Sequence, residues 1–185
     1  AKKFRVATFD LLGQGQSDKP ALFISQADQV DALHQLIGEL GEAPVFLGGI
    51  SFGGLIALRY AIEHGDRLAG LVPMSSFAEL SPQLALLGNA LRTGLILGGT
   101  SYLQDLLLPM NLSDAWLEPL IGKLDAVKRQ GWLVNDVYAL QNLMESFIDF
   151  EPLTPQLKLI QAPTMILNGE FDFLTPRALH ETLRV

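Results

Sequence analysis

The sequence predicts an α/β protein: a mostly parallel sheet with crossover helices, interrupted by a helical insertion. Three observations lead there. Short apolar stretches rich in β-branched residues alternate with segments of helical spacing, the rhythm of a parallel sheet whose strands are joined by helices. That rhythm stops between Ser76 and Leu159, where no strand pattern occurs. A G-x-S-x-G turn, Gly49 to Gly53, stands between a predicted strand and a predicted helix. The 185 residues, 49% apolar and 18% charged, suit one domain with an insertion and supply ample core.

Phe4 to Phe9 reads as the first buried strand, and the loop LLGQGQSDKP follows, punctuated by two glycines and a proline. Val30, Leu33, Leu36, Ile37 and Leu40 recur at helical spacing within Ser25 to Leu40, and Gly41 is the expected C-cap. Pro44 to Leu47 is a second strand. A helix over Leu55 to Ile62 follows the serine turn. Leu68 to Met74 is a third strand and Ala162 to Leu167 a fourth. Within the insertion, Ser81-Pro82 makes a good helix start, with a capping serine and proline at the first position. Leu84, Leu87, Leu91 and Leu95 continue that helix. A second starts at Ser113 and runs through Trp116, Leu117, Leu120, Leu124 and Val127, with Pro119 as a kink. A third covers 134–150. The expected division is a core of 1–75 and 160–185 and a helical cap of 76–159.

The net charge of −7 offers no basic face for nucleic acid, and the acidity is read as solubility. The absence of cysteine excludes disulfides, thiolate metal sites and a cysteine nucleophile. Histidines are few and scattered and no carboxylate cluster has ligand spacing, so no metal is expected, nor any cofactor. GQGQSD lacks the lysine and helix start of a phosphate loop. No uncharged apolar run reaches the ~18 residues of a membrane span; Leu84 to Leu108 is interrupted by Asn89, Arg92 and Asp105. No long apolar segment follows the lysines of AKKFRVATFD, so no signal peptide is read and a cytoplasmic location is expected.

The stretch FLGGISFGG, Phe46 to Gly54, carries the chemistry. A sharp strand-to-helix turn forces Ser51 into a strained backbone conformation with its hydroxyl exposed above the sheet. Side chains two residues away on either side would collide, so glycine is expected at both Gly49 and Gly53 for steric reasons. The helix N-terminus adds a positive dipole end, and the backbone N–H of Phe52 points where an oxyanion would form.

With that turn the chain resembles the α/β-hydrolase family in three stretches. FDLLGQGQSDKP, Phe9 to Pro20, is similar to the family's D-x-x-G-x-G-x-S loop. GISFGG is similar to its nucleophile elbow. LNGEFDFLTP, Leu167 to Pro176, looks like the G-x-x-D-x-x-x-P loop that carries the triad acid. The resemblance implies that Ser51 is the nucleophile, that Asp172 is the acid orienting a histidine, and that Phe52 N–H is one oxyanion donor. Glu170 lies two residues off the motif position and reads as a loop residue. Glu79, after the third strand, is the alternative acid, because some relatives place theirs there. Asp10 is expected to hold its loop by hydrogen bonds and not to catalyse.

Two parts of the family pattern are missing. The catalytic histidine should follow the acid after another helix and strand, yet only 13 residues follow Asp172. His34, His64 and His180 fall in predicted helices and read as surface or helix-end residues. The family's first strands, with the loop giving the second oxyanion donor, would precede Ala1. The strand at Phe4 to Phe9 is then expected to have a gap beside it, and Met165 to Leu167 to lie at an open apolar edge. The mean hydropathy of +0.27 agrees with a chain lacking covering pieces. The expectation is an internal piece of a longer serine hydrolase acting on an ester or related acyl substrate, itself with little or no activity.

Serine at position 51 argues against the family's dehalogenases and epoxide hydrolases, which use aspartate there. The leucine-rich cap suggests an apolar acyl or alcohol group; equally, those leucines only pack the cap. Hydrolysis, acyl transfer, C–C cleavage and perhydrolysis use the same serine and stay open. Two other classes remain: a non-catalytic ligand-binding protein on the same fold, and an interaction module or homo-oligomer joined through open sheet edges.

Overall fold

The computed structural model describes residues 3–134 and 136–184. Strands β1 (Val45–Ile50) and β2 (Leu68–Met74) pair in parallel, with Leu47 opposite Leu71 and Ile50 opposite Met74. Helix α2 (Phe52–Glu63) is the crossover between them. Helix α1 (Gln26–Glu39) packs against α2 on the same face of the sheet. The core lies between these layers: Val30, Leu33 and Ile37 of α1, Leu55, Ile56, Leu58, Tyr60 and Ala61 of α2, and Leu47 and Leu71 of the strands are all buried. α2 is apolar nearly all round because it is enclosed by α1, the sheet and the segments that follow.

Local chemistry fixes the ends of α1. The Ser25 hydroxyl accepts from the Asp28 N–H (3.1 Å) while Asp28 Oδ2 accepts from the Ser25 N–H (2.7 Å), a reciprocal capping box. The Ser25 hydroxyl also donates to Asp28 Oδ2 at 2.6 Å, and this bond, before the one from the Ser25 N–H, holds the Asp28 carboxyl below its ordinary pKa. Gly41 stops the helix at φ +112°, as expected.

The fourth strand exists only in part. Segment 163–167 lies along β2, with Leu71 N–H donating to the Pro163 carbonyl and Met165 N–H to the Leu71 carbonyl, both at 2.9 Å. Leu167 N–H then donates to the Pro73 carbonyl and Ser75 N–H to the Leu167 carbonyl. Pro73 has no N–H to offer Met165 between those pairs, so two isolated bridges stand where a continuous ladder would run.

Phe4 to Phe9 corrects an expectation. Among its residues none is in a strand, and Phe4, Val6 and Phe9 are 63%, 66% and 43% exposed. An extended segment needs a neighbour to take its backbone hydrogen bonds, and among the described residues none is paired with it. Its recorded anchor is the Phe4 ring, edge-to-face on Phe46 at 5.9 Å. Phe46, Ile50, Met165 and Leu167 share one face of the sheet and are all exposed.

Two of the three helices expected between β2 and segment 163–167 start as expected, at Ser81 and Ser113. Ser81 caps α3 (Pro82–Asn111), accepting from Leu84 N–H at 3.2 Å. α3 breaks at Gly99 (φ +67°) and doubles back: a Cβ at Gly94 would lie 2.7 Å from Leu106. Pro119 does more than kink the next helix. Instead of one helix from Ser113 there are α4 (Asp114–Leu117) and α5 (Leu124–Val134), joined by a 3-10 turn. The helix expected over 134–150 is shorter, α6 (Val137–Glu145), capped by Asp136; Asn135 lies outside the described residues. The chain ends in α7 (Arg177–Glu181). No helix among the described residues is long and apolar enough to cross a membrane.

The serine turn shows which glycines are needed. A Cβ at Gly49 would sit 2.2 Å from the Gly53 carbonyl oxygen, and one at Gly54 2.6 Å from Ser76 Cβ. A Cβ at Gly53 would meet nothing within 4 Å, so the crowding expected at Gly53 falls on Gly54 instead. Gly49→Ala is expected to lower stability by about 1–3 kcal/mol, since backbone cannot yield. Gly53→Ala should be neutral or stabilising by about 0.5–1 kcal/mol, because it removes a glycine from a helix. Urea denaturation of both variants checks this; equal losses would sink the assignment.

Candidate active site

Ser51 follows β1 directly and precedes α2, at φ 53° and ψ −117°. A non-glycine residue there is strained. Three bonds hold it: Ser51 N–H to the Met74 carbonyl (2.9 Å), Leu55 N–H to the Ser51 carbonyl (3.0 Å), and the Ser76 hydroxyl to that same carbonyl (3.0 Å). The Ser51 side chain takes no part in capping α2 and is exposed. Phe52 is the first residue of α2, where backbone N–H groups have no helical acceptor and the dipole is positive.

Asp172 lies in the loop after segment 163–167. Its Oδ1 accepts from Thr175 N–H and its Oδ2 from the Thr175 hydroxyl, both at 2.8 Å. Asn168 braces the loop by donating to the Thr175 carbonyl at 2.8 Å. Burial pushes the Asp172 pKa up, but the Thr175 N–H, the hydroxyls of Ser75 and Thr175, and nearby His180 outweigh it and hold the carboxyl below its ordinary value. It is therefore a fixed anion near neutral pH.

The two predicted residues meet across one cavity of about 1260 Å³, whose lining includes Ser51, Phe52, Ser75, Asp172 and Thr175. Most of the remaining wall is apolar, from Phe77, Leu84 and Leu91 to Leu143 and Phe147. Ser75 was not foreseen. It follows β2 directly as Ser51 follows β1, also at positive φ (44°), and stands between the serine turn and the Asp172 loop. The only hint in the sequence is a pair of serines directly after a strand.

The alternative acids are disposed differently. Glu79 is bonded by the Thr154 hydroxyl and does not line the cavity. Glu170 lines it, as a loop residue. Asp10 holds its own loop, accepting from Gln16 N–H at 2.9 Å, as expected.

Among the described residues no histidine lines the cavity. His34 and His64 stack at 3.9 Å beside Tyr60, at the far end of α2. Along 12 helical residues that is about 18 Å from Ser51. His180 lies at a helix end, in the last turn of α7, but not at the surface: it is only 5% exposed, and neither ring nitrogen has a hydrogen-bond partner among the described residues. Burial lowers its pKa, against the pull of Asp172 and the Thr175 carbonyl.

Acid acts in one direction on both groups. Each has a folded-state pKa below its unfolded one, so the unfolded chain binds more protons as pH falls and stability present at neutral pH is lost. For His180 the loss begins below about pH 6.5, and for Asp172 below about pH 4. Melting temperature is expected to fall between about pH 7 and about pH 5 in the wild type and to stay flat in His180→Phe. Equal slopes would contradict a neutral buried His180.

Comparison with known proteins agrees with this architecture. The family model described as serine aminopeptidase, S33, matches residues 1–184. Homoserine O-succinyltransferase of Xanthomonas campestris is 36% identical over 200 residues, spanning 94% of this chain and 53% of that protein. The AB hydrolase superfamily protein YisY of Bacillus subtilis is 28% identical over 185 residues, spanning 94% and 66%. The crystal structure of the enol-lactonase from Burkholderia xenovorans superposes with a TM-score of 0.80 at 23% identity, over 94% of this chain and 65% of that one. At that identity the likeness speaks for the fold alone. The chain spans roughly half to two thirds of the length of these relatives. Matched along almost its whole length, the chain belongs to the α/β-hydrolase family.

Proposed function

We propose that this chain carries the nucleophile and the acid of a serine hydrolase acting on an ester or related acyl substrate. The observation that carries the reading is Ser51, strained and exposed at the β1–α2 turn, facing the same cavity as Asp172. In this mechanism Ser51 Oγ attacks the carbonyl carbon while a histidine takes the hydroxyl proton. Asp172 orients that histidine and stabilises its cation. The oxyanion is met by Phe52 N–H at the positive end of α2. Collapse of the intermediate expels the alcohol, protonated by the histidine, and leaves an acyl-serine. Water then attacks the acyl carbon and frees the acid.

His34 and His64 are too distant for the base, and buried His180 does not face the cavity. The base is therefore proposed to come from polypeptide outside these 185 residues, which alone would hydrolyse little. The apolar wall supports an apolar acyl or alcohol group, and helices α3 to α6 are proposed as the cap that closes over it. A second reading, transfer of the acyl group to an alcohol other than water, is favoured by the likeness to a homoserine O-succinyltransferase. It uses the same acyl-serine.

The test is a fluorophosphonate applied to the native protein purified from the cells that make it, followed by peptide mass analysis. One phosphonyl group is expected on the Ser51 peptide and none in Ser51→Ala. The 185-residue chain alone should label slower by on the order of 10⁴-fold, the loss that follows when a triad is incomplete. A folded native protein that takes no adduct at Ser51 would overturn the reading.

A further inference from the structure

Ser76 is fully buried, and its hydroxyl lies 3.0 Å from the Ser51 carbonyl oxygen. A carbonyl only accepts, so the hydroxyl is the donor. The same oxygen takes a second bond, from Leu55 N–H at 3.0 Å. It belongs to the peptide unit between Ser51 and Phe52. That unit is planar and trans, so its N–H points opposite to its C=O. Two donors on the oxygen therefore fix the direction of the Phe52 N–H as well. That N–H makes no hydrogen bond among the described residues, and both Ser51 and Phe52 line the cavity. The two clamps differ in origin. Leu55 N–H is part of α2 and moves with it, whereas Ser76 belongs to the chain leaving β2 and ties the peptide to the sheet. Gly54 leaves the space: a Cβ there would lie 2.6 Å from Ser76 Cβ and 2.8 Å from its Oγ.

We infer that Ser76 is a positioning residue for the oxyanion: by clamping the Ser51 carbonyl from the β2 side, it aims the Phe52 N–H into the cavity. Stabilisation of a developing oxyanion depends on donors already in place, because nothing then has to reorganise as the charge forms. A bond accepted by a peptide carbonyl also polarises the N–H of the same unit, so the clamp strengthens the donor that it aims. Ser76 is buried and does not line the cavity, so it acts only through this peptide. Its neighbour Ser75, at φ 44°, lines the cavity instead, and the two consecutive serines divide between the site and its support. The inference rests on the proposed reading of Ser51 as nucleophile and Phe52 N–H as oxyanion donor.

The rate of fluorophosphonate labelling of the native protein tests it. Ser51 Oγ bonds to phosphorus, its proton passes to the base, fluoride leaves, and the phosphonyl oxygen takes the place of the oxyanion. Ser76→Ala is expected to lower the plateau of the rate–pH profile about tenfold, less than the ~10²-fold cost of deleting such a donor, because Leu55 N–H still holds the carbonyl. The midpoint of the profile should not move, since the base is untouched. Gly41→Ala strains a glycine at φ +112° beyond the end of α1 and controls for lost stability; it should label at the wild-type rate. By nuclear magnetic resonance, phosphonylation should move the Phe52 amide proton downfield, and Ser76→Ala should shrink that shift. Labelling of Ser76→Ala at the wild-type rate, equal slowing in Gly41→Ala, a displaced midpoint, or a Phe52 shift left whole by Ser76→Ala would each overturn the inference. A native protein that takes no adduct at Ser51 overturns the proposed function and this inference with it. Labelling at Ser51 that is indifferent to Ser76 sinks the inference alone.

Discussion

The backbone of Ser51 is the constraint on which the rest of the site depends. A residue at φ 53° and ψ −117° costs on the order of 1–3 kcal/mol and persists only where its surroundings over-determine it. Here β2 does so through the Met74 carbonyl, Ser76 through its hydroxyl, and α2 through its first helical bond. Strain at the turn is offset by burial behind it. Leu55, Ile56, Leu58 and Tyr60 are all essentially inaccessible, and burying one such apolar side chain stabilises by roughly 1.5–3 kcal/mol. The tight parallel pairing of β1 with β2 also sets Ser51 beside Ser75, and Ser75 N–H then fixes Leu167 at the start of the Asp172 loop. The serine turn and the Asp172 loop are therefore tied to the same strand end by backbone hydrogen bonds.

The helical region is joined to this platform by aromatic rings. Phe147, just past α6, packs edge-to-face on Phe52 at 5.6 Å and lies 6.0 Å from both Phe77 and Phe150. The residue whose N–H begins α2 thus carries a ring that packs against the segment following α6. The leucines divide between two tasks that their spacing alone cannot separate. Leu95 is sealed inside, whereas Leu84, Leu91, Leu140 and Leu143 face the cavity. Gly94 and Gly98 allow the close return of α3 upon itself, against Leu106 and Tyr102.

One face of the sheet stands apart energetically. Parallel sheets are stable when helices cover both faces. Here α1 and α2 cover one, and on the other Phe46, Ile50, Met165 and Leu167 remain exposed, with the Phe4 ring packed against Phe46. The same lack of neighbours explains why the stretch from Phe4 to Phe9 has the composition of a strand without its hydrogen bonds.

Much of this was legible in the residues, where short-range stereochemistry decides. Ser25 and Gly41 bound α1, β2 runs over its expected residues, and the Ser81-Pro82 start holds, because caps and turns depend on atoms a few residues apart. The strained serine turn follows from the same local rule, as does the loop that holds Asp172. What the chain alone left open depends on partners distant in sequence. Phe4 to Phe9 needed a neighbouring strand, and Pro73 weakened a ladder whose other side lies about ninety residues on, between Pro163 and Leu167. Pro119 broke a helix that periodicity carried through it. Ser75 beside Asp172 and His180 buried, with no hydrogen-bond partner among the described residues, were invisible, since spacing records which face a residue takes but not what long-range folding sets against it.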